Sequence, residues 1–271
     1  MRAFPWGAVC AALLALVTPV AQALVLAVNE GVTYRVPYEE VRGRYAAIAT
    51  DLAKILKQPV TVEPVGDYRS LRKGLADQTY DIAIVHPAHI SIEAIKHSGY
   101  RLVAVTRGYQ KYQAQFLVRA DSNLKALADL KGGRLGAPDE DSITSVMVRA
   151  TLRDAGLDTK QVSMVYTRYQ DAVPFFVENR LTTSGATAAN AVIKEWTTKG
   201  GKVLAKSRPV PIKHIIASPH LTAEQIASVR EYLVSLDAAD EGRKKLAPTQ
   251  YTGFDRFDEA ELLSIGTWLG L

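Results

Sequence analysis

Residues 128–152 read ADLKGGRLGAPDEDSITSVMVRATL, and the pattern is strand, turn, helix. The apolar run Arg134–Ala137 follows a Gly-Gly turn and suits a short buried parallel strand. Asp141 or Ser142 is placed to cap a helix whose first turn is Ser142-Ile143-Thr144-Ser145. Val146, Val148, Leu152 and Ala155 form its expected buried face, and Gly156 its stop. A helix start carries unpaired backbone N–H groups and the positive end of the macrodipole. Hydroxyls gathered there, from Ser142, Thr144 and Ser145, can cradle an anion. Equally, Ser, Thr and Asp are ordinary helix caps, and the residues alone leave both readings open. Asp139, Glu140 and Asp141 suit the helix dipole, yet they would repel an anion unless they turn away from it.

Upstream, residues 24–28 read as a first, central strand, and residues 41–57 as an amphipathic helix ending before Pro59. A strand over 60–64, a helix capped by Asp67, a strand over 81–85, a helix starting at Pro87 and a strand over 101–106 follow. This alternation predicts a parallel, doubly wound sheet with ligands beyond the carboxyl ends of its strands. Tyr68, His86 and His89 lie in those end loops and are the side chains suited to line a cleft. Residues 109–118 then carry the chain to a second α/β unit, and Pro209-Val210-Pro211 marks the return. A strand over 212–218, a capped helix over 222–236 and a last helix over 259–269 complete the chain. The expected division is 24–110 with 207–271 as one lobe and 111–206 as the other.

Residues 1–23 have the form of a secretory signal: Arg2, an apolar run over 8–17, and Ala21-Gln22-Ala23 as the cleavage pattern. The apolar run is shorter than the roughly 20 residues that span a bilayer. The mature protein is therefore expected to begin near Leu24, outside the cytoplasm. Cys10, the single cysteine, lies in that segment, so a mature chain has no thiol for disulfides, metal or nucleophilic catalysis. Removing Arg2 from 33 basic residues against 28 acidic ones leaves a net +4, too weak and dispersed for nucleic acid but compatible with small anions.

The succession of Asp67-Tyr68, Leu71, Leu75, Asp81-Ile82-Ala83, Pro87, residues 112–118, Leu127-Ala128-Asp129-Leu130-Lys131-Gly132 and Asp141-Ser142-Ile143-Thr144 resembles the phosphonate/phosphite-type periplasmic substrate-binding proteins of ATP-driven (ABC) importers. The resemblance covers nearly all of the mature chain. It implies a two-lobed α/β fold of the type II periplasmic-binding class, each lobe a mostly parallel sheet flanked by helices, with the ligand cleft between them. It further implies a membrane permease as partner, a small anionic solute as ligand, no cofactor, and a monomer in the periplasm. In such proteins the serine/threonine helix start grips the oxyanion head, so Ser142, Thr144 and Ser145 become expected ligand contacts, with Tyr68 as a wall. His86 and His89 stand where an aromatic is common, and Tyr169 or Gln170 where a histidine is frequent. The acidic residue usual near residues 182–184 is missing, which points away from aminoalkyl phosphonates, whose amine carboxylates hold.

Three other readings compete. His89, Glu93 and His97 share a helical face, but the outer two are about 12 Å apart by helix rise, too far for one ion. No metal is expected. An enzyme on this fold needs a paired acid and base, and neither His86 nor His89 has an evident partner in the sequence. A sensor module for a membrane receptor or kinase would carry the same residues as an importer's receptor.

Overall fold

The computed structural model describes residues 22–31 and 36–271. The expected export segment lies almost wholly outside them. Among the described residues no helix is long and apolar enough to cross a membrane.

The first unit alternates β1 (Leu24–Val28), α1 (Tyr38–Leu56), β2 (Val60–Pro64), α2 (Tyr68–Ala76), β3 (Ile82–Val85), α3 (Ala88–His97) and β4 (Arg101–Thr106). The chain crosses to β5 (Gln115–Val118) and continues through β6 (Arg134–Ala137), α4 (Ile143–Asp154), β7 (Ser163–Tyr166), α5 (Val173–Glu178), β8 (Ser184–Thr187), α6 (Asn190–Thr198) and β9 (Lys202–Lys206). It then returns as β10 (His214–Ala217), α7 (Ala223–Ser235), α8 (Asp240–Leu246), β11 (Phe254–Asp255) and α9 (Glu259–Leu269).

Two sheets result, ordered β11-β4-β10-β3-β1-β2 and β7-β6-β8-β5-β9. In each, three parallel strands (β2-β1-β3 and β7-β6-β8) meet one antiparallel strand that has just crossed between the units, β10 in the first and β5 in the second. Both lobes are thus sheets flanked by helices, the two-lobed class expected, but they are mixed rather than mostly parallel, because each crossing strand runs antiparallel to both of its neighbours.

Several details differ from the expectation. β1 is not the middle of its sheet, because β10 inserts between β3 and β4 and pushes the centre away from it. α1 begins three residues early, at Tyr38, where Pro37 supplies a pre-set φ and Glu39 and Glu40 fit the dipole. α8 and β11 were not foreseen. The first is seven residues rich in charge, and the second is a two-residue strand held only by β4.

Caps follow the sequence closely. Asp67 accepts from the Ser70 N–H, Ser142 from the Ser145 N–H, and Thr222 forms a reciprocal capping box with Gln225. α4 is buried on more sides than a one-faced helix, since it packs against β6, β8, α3 and α9 at once. Ala155, expected in its buried face, is only partly covered and serves as the C-cap, with Gly156 beyond it at φ +74. The chain crossings are bonded to each other: Tyr112 and Val210 exchange backbone hydrogen bonds, as do Ala114 and Ser207 through the Ser207 hydroxyl and N–H.

Candidate functional site

The carboxyl ends of β1, β2 and β3 place Asn29, Gly66 and His86 at one edge of the first sheet. The ends of β6 and β8 place Pro138 and Ala188 at the facing edge of the second. Two helix starts meet there. α3 begins immediately after Pro87, and α4 begins after Ser142.

At the tip of α4, Thr144 and Ser145 are buried. The Thr144 hydroxyl pairs with the Tyr112 hydroxyl at 2.9 Å, and the Gln170 amide donates to the same phenol oxygen at 3.0 Å. Gln170 is fixed in turn by the Thr187 hydroxyl and the Ala188 N–H, which both donate to its Oε1. The Ser145 hydroxyl donates to the Pro138 carbonyl at 2.9 Å, which ties the helix start to the end of β6. Helix geometry leaves the N–H groups of Ile143 and Thr144 without intrahelical acceptors, so the tip keeps donors and dipole.

Across from this tip, Arg72 of α2 grips Asp141 with two bonds, Nη1–Oδ2 at 2.7 Å and Nη2–Oδ1 at 2.8 Å, and reaches Glu93 of α3 with its Nε at 3.2 Å. His89 of α3 places Nε2 3.2 Å from Asp141 Oδ1. The Tyr68 ring meets the His89 ring edge to face, centroids 6.4 Å apart. Asp141 reaches across to the other lobe, where its charge is taken up. Burial raises the Asp141 carboxyl, but the bonds from Arg72 and His89 outweigh it and hold the group well below the usual carboxylate range. Burial beside Asp141 and Asp139 pushes the Tyr68 phenol up, so it stays a neutral hydroxyl. Tyr112 is likewise raised by burial.

This geometry, a capped helix tip with buried hydroxyls between two sheets joined by paired crossings, agrees with the sequence comparison. Residues 31–262 match the model of the family described as the periplasmic substrate-binding protein of phosphonate ABC transporters. The chain belongs to that family. No curated protein matches it in sequence. Among solved structures it resembles an ATP-bound protein of Xanthomonas citri, with TM-score 0.73 and 14% identity over 92% of this chain and 97% of that one. It resembles PhnD1 of Prochlorococcus marinus in complex with methylphosphonate, with TM-score 0.64 and 16% identity over 91% and 96%. A binding-protein component of a phosphonate transporter from Pseudomonas aeruginosa aligns with TM-score 0.61 and 19% identity over 92% and 85%. At these identities the structures speak to the fold, which is that of a periplasmic binding protein.

Within this member of the family, the residues named from sequence separate into two groups. Tyr68, His89, Ser142, Thr144 and Ser145 come together around the α4 tip. His86 lies at the end of β3, under Gly31, with Nδ1 3.2 Å from the Ile212 carbonyl. Burial, helped by the nearby Lys213 charge, lowers it to about 4 and keeps it neutral. Tyr169 is exposed beneath the Arg168 guanidinium, and its neighbour Gln170 joins the Tyr112–Thr144 chain instead. Tyr112, Gln170, Arg72 and Asp141 were not named as site residues. In the sequence Arg72 lies beside Arg69 and Lys73, a pattern usual for a solvated helix face, and only its long-range partners single it out. Neither histidine had an evident acid partner in the sequence, yet folding gives His89 one in Asp141.

Glu93 is engaged by Arg72 and His97 is exposed, and the described residues hold no cluster of three metal-ligating side chains. Beside the crossings, Lys213 lies over the rings of Tyr109 at 4.0 Å and Tyr251 at 4.9 Å, its ammonium lowered by burial. A cavity of about 250 Å³ has Tyr109, Tyr112, Gln113, Gln115, Ala188 and Asn190 in its wall.

Proposed function

We propose that this receptor takes a small oxyanion (phosphonate, phosphite or a related ester) at the tip of α4 and delivers it to the membrane permease of an importer. The observation that carries the reading is the buried Thr144 hydroxyl, bonded to Tyr112 at a helix start that faces Tyr68 and His89. Backbone N–H groups of the first turn and the hydroxyls of Ser142 and Thr144 bind the oxyanion, with Ser145 bracing the tip. Tyr68 and His89 close the opposite wall, with His86 behind it at the end of β3, and Tyr169 borders the cradle on its own lobe. The lobes, 24–110 with 207–271 and 111–206, hinge at the paired crossings, and sheet membership of the strands supports that division. The receptor works as a periplasmic monomer after cleavage near Ala23, makes and breaks no bond, and needs no cofactor.

A thermal-shift panel of phosphate, phosphite, methylphosphonate, methanesulfonate, taurine and divalent metals tests this. An oxyanion should raise the melting temperature in a saturable way while metals leave it unchanged. A panel in which only a metal, or nothing, stabilises the protein removes the reading. Turnover of a panel compound would instead favour an enzyme, for which the His89–Asp141 pair is an acid–base couple near the tip.

A further inference from the structure

The cavity beside the first crossing stands at the same sheet edge as the α4 tip. Its wall takes Ala188 from the end of β8. β8 is the parallel neighbour of β6, the strand that leads into α4, and neighbouring strands lie about 4.8 Å apart. Tyr112, also in the wall, carries the hydroxyl that pairs with Thr144. The Ala188 N–H donates to Gln170, whose amide bonds the same phenol. Gln115 of β5 lies opposite Thr187 of β8, so their side chains share a face of the sheet, and the Thr187 hydroxyl donates to Gln170 as well. Cavity and tip are thus built on one hydrogen-bonded chain, Thr144–Tyr112–Gln170–Thr187, with Tyr112 belonging to both.

The wall is polar and carries one sign of charge. Among the described residues it holds no carboxylate. Lys111 is its charged member, and Gln113, Gln115 and Asn190 are its amides. Gln113 donates to the Ser207 carbonyl of the second crossing, which fixes the wall in place. A second cation lies behind it, since the Lys213 ammonium rests on the ring of Tyr109, another wall residue. Glu30, whose charge Lys213 feels, is already held by Arg44 and Tyr45. The volume of about 250 Å³ exceeds what a methyl group needs. At roughly 30 Å³ for each water-sized atom it takes about eight, a short chain with a polar end.

We propose that this cavity receives the substituent of the ligand, and that the substituent ends in a carboxylate, held by Lys111 and the amides of Gln115 and Asn190. The inference rests on the oxyanion reading above, with the phosphonate head at the α4 tip. A carboxylate tail accepts from the ammonium and the two amides, and charge-assisted bonds of this kind are the strong ones. An ammonium tail would meet Lys111 with no counter-charge in the wall, and like charges select against it. A plain alkyl tail would take water from Lys111 and the amides and return no hydrogen bond.

The test is calorimetric titration of the mature protein with four phosphonates that share a head and differ in tail: methylphosphonate, propylphosphonate, 3-phosphonopropionate and 2-aminoethylphosphonate. The wild type should bind 3-phosphonopropionate about tenfold or more tighter than propylphosphonate, which has the same chain length without the charge. It should bind 2-aminoethylphosphonate most weakly. Asn190→Asp puts a carboxylate in the wall at the exposed first position of α6, where an acid suits the helix dipole and folding is spared. That variant should reverse the order, with the ammonium tail now bound more tightly than the carboxylate. Lys111→Gln, also at an exposed residue, should reduce the carboxylate preference and keeps the test in force where Asn190→Asp does not fold. Each comparison is a ratio within one protein, so a general loss of affinity in a variant cancels. Equal affinity of the wild type for the propyl and carboxyl tails, tightest binding of the ammonium tail, or a carboxylate preference that survives in both variants overturns the inference and leaves the oxyanion reading standing. Failure of all four to bind removes both.

Discussion

The six-stranded lobe brings Tyr68, Arg72, His86, His89 and Lys213 towards the crossings, whereas the five-stranded lobe brings Asp139, Asp141, Ser142, Thr144 and Gln170. One side is aromatic and cationic, and the other is hydroxyl-rich with carboxylates. Their shared strand order puts these loops edge to edge, so the two chemistries meet as the Arg72–Asp141 fork and the His89–Asp141 contact. The difference teaches how carboxylates gathered at a helix tip are accommodated. The acid closest to the tip is neutralised by the opposite lobe rather than left to face the cleft. Titratable imidazoles sit on one side only, because His86, His89, His97, His214 and His220 all belong to the six-stranded lobe.

Acid should expose that asymmetry most strongly. His214 is fully buried between the Ser91 hydroxyl and the Pro211 carbonyl, and burial lowers it from the usual 6.5 to about 4. The unfolded chain binds its proton first, so stability is complete above about pH 6.5 and is lost as pH falls towards 4, by about 3 kcal/mol for this one group. Hydrogen exchange between pH 7 and pH 4.5 should show β3 and β10 losing protection while β6 and β8 hold theirs. Equal loss in both sheets would erase the contrast between the lobes.

Thr144→Val should come next. It removes a hydroxyl at the tip while Tyr112 keeps its bond from Gln170, so folding changes little. Affinity for the best oxyanion of the panel should drop about ten- to a hundredfold, the worth of a hydrogen bond to a charged group. Calorimetry showing unchanged affinity would place the anion elsewhere.

The smallest effect is expected for the clasp itself. A double-mutant cycle with Arg72→Gln and Asp141→Asn, read by urea unfolding, should give a coupling of about 1 kcal/mol, because both side chains remain more than a third open to water. The contribution of Asp141 has its own pH window. Its carboxyl is held low in the folded state, so that stability is present above the ordinary carboxylate range, about pH 4, and fades below it. A zero coupling at pH 7 would reduce the clasp to a chance meeting of surface charges.

Local order was largely legible. The β6–turn–α4 stretch, the caps Asp67, Ser142 and Thr222, and the strands β1, β2, β4 and β6 follow from apolar period, capping side chains and turn glycines acting within a few residues. β11 and α8 were not legible, since two residues held by one neighbour and seven charge-rich residues carry no periodic signal. The insertion of β10 between β3 and β4 was likewise hidden, as strand order depends on which edge a returning chain meets.

What the sequence by itself determined is therefore the alternation of elements, the two crossings and the capped start of α4. Each is set by contacts between near neighbours in the chain. Only the tertiary structure decided that Arg72, 69 residues before Asp141, would neutralise it, and that His89 would pair with the same carboxylate through Nε2. Charge pairing and burial depend on which surfaces the fold brings together, and no spacing along the chain records that.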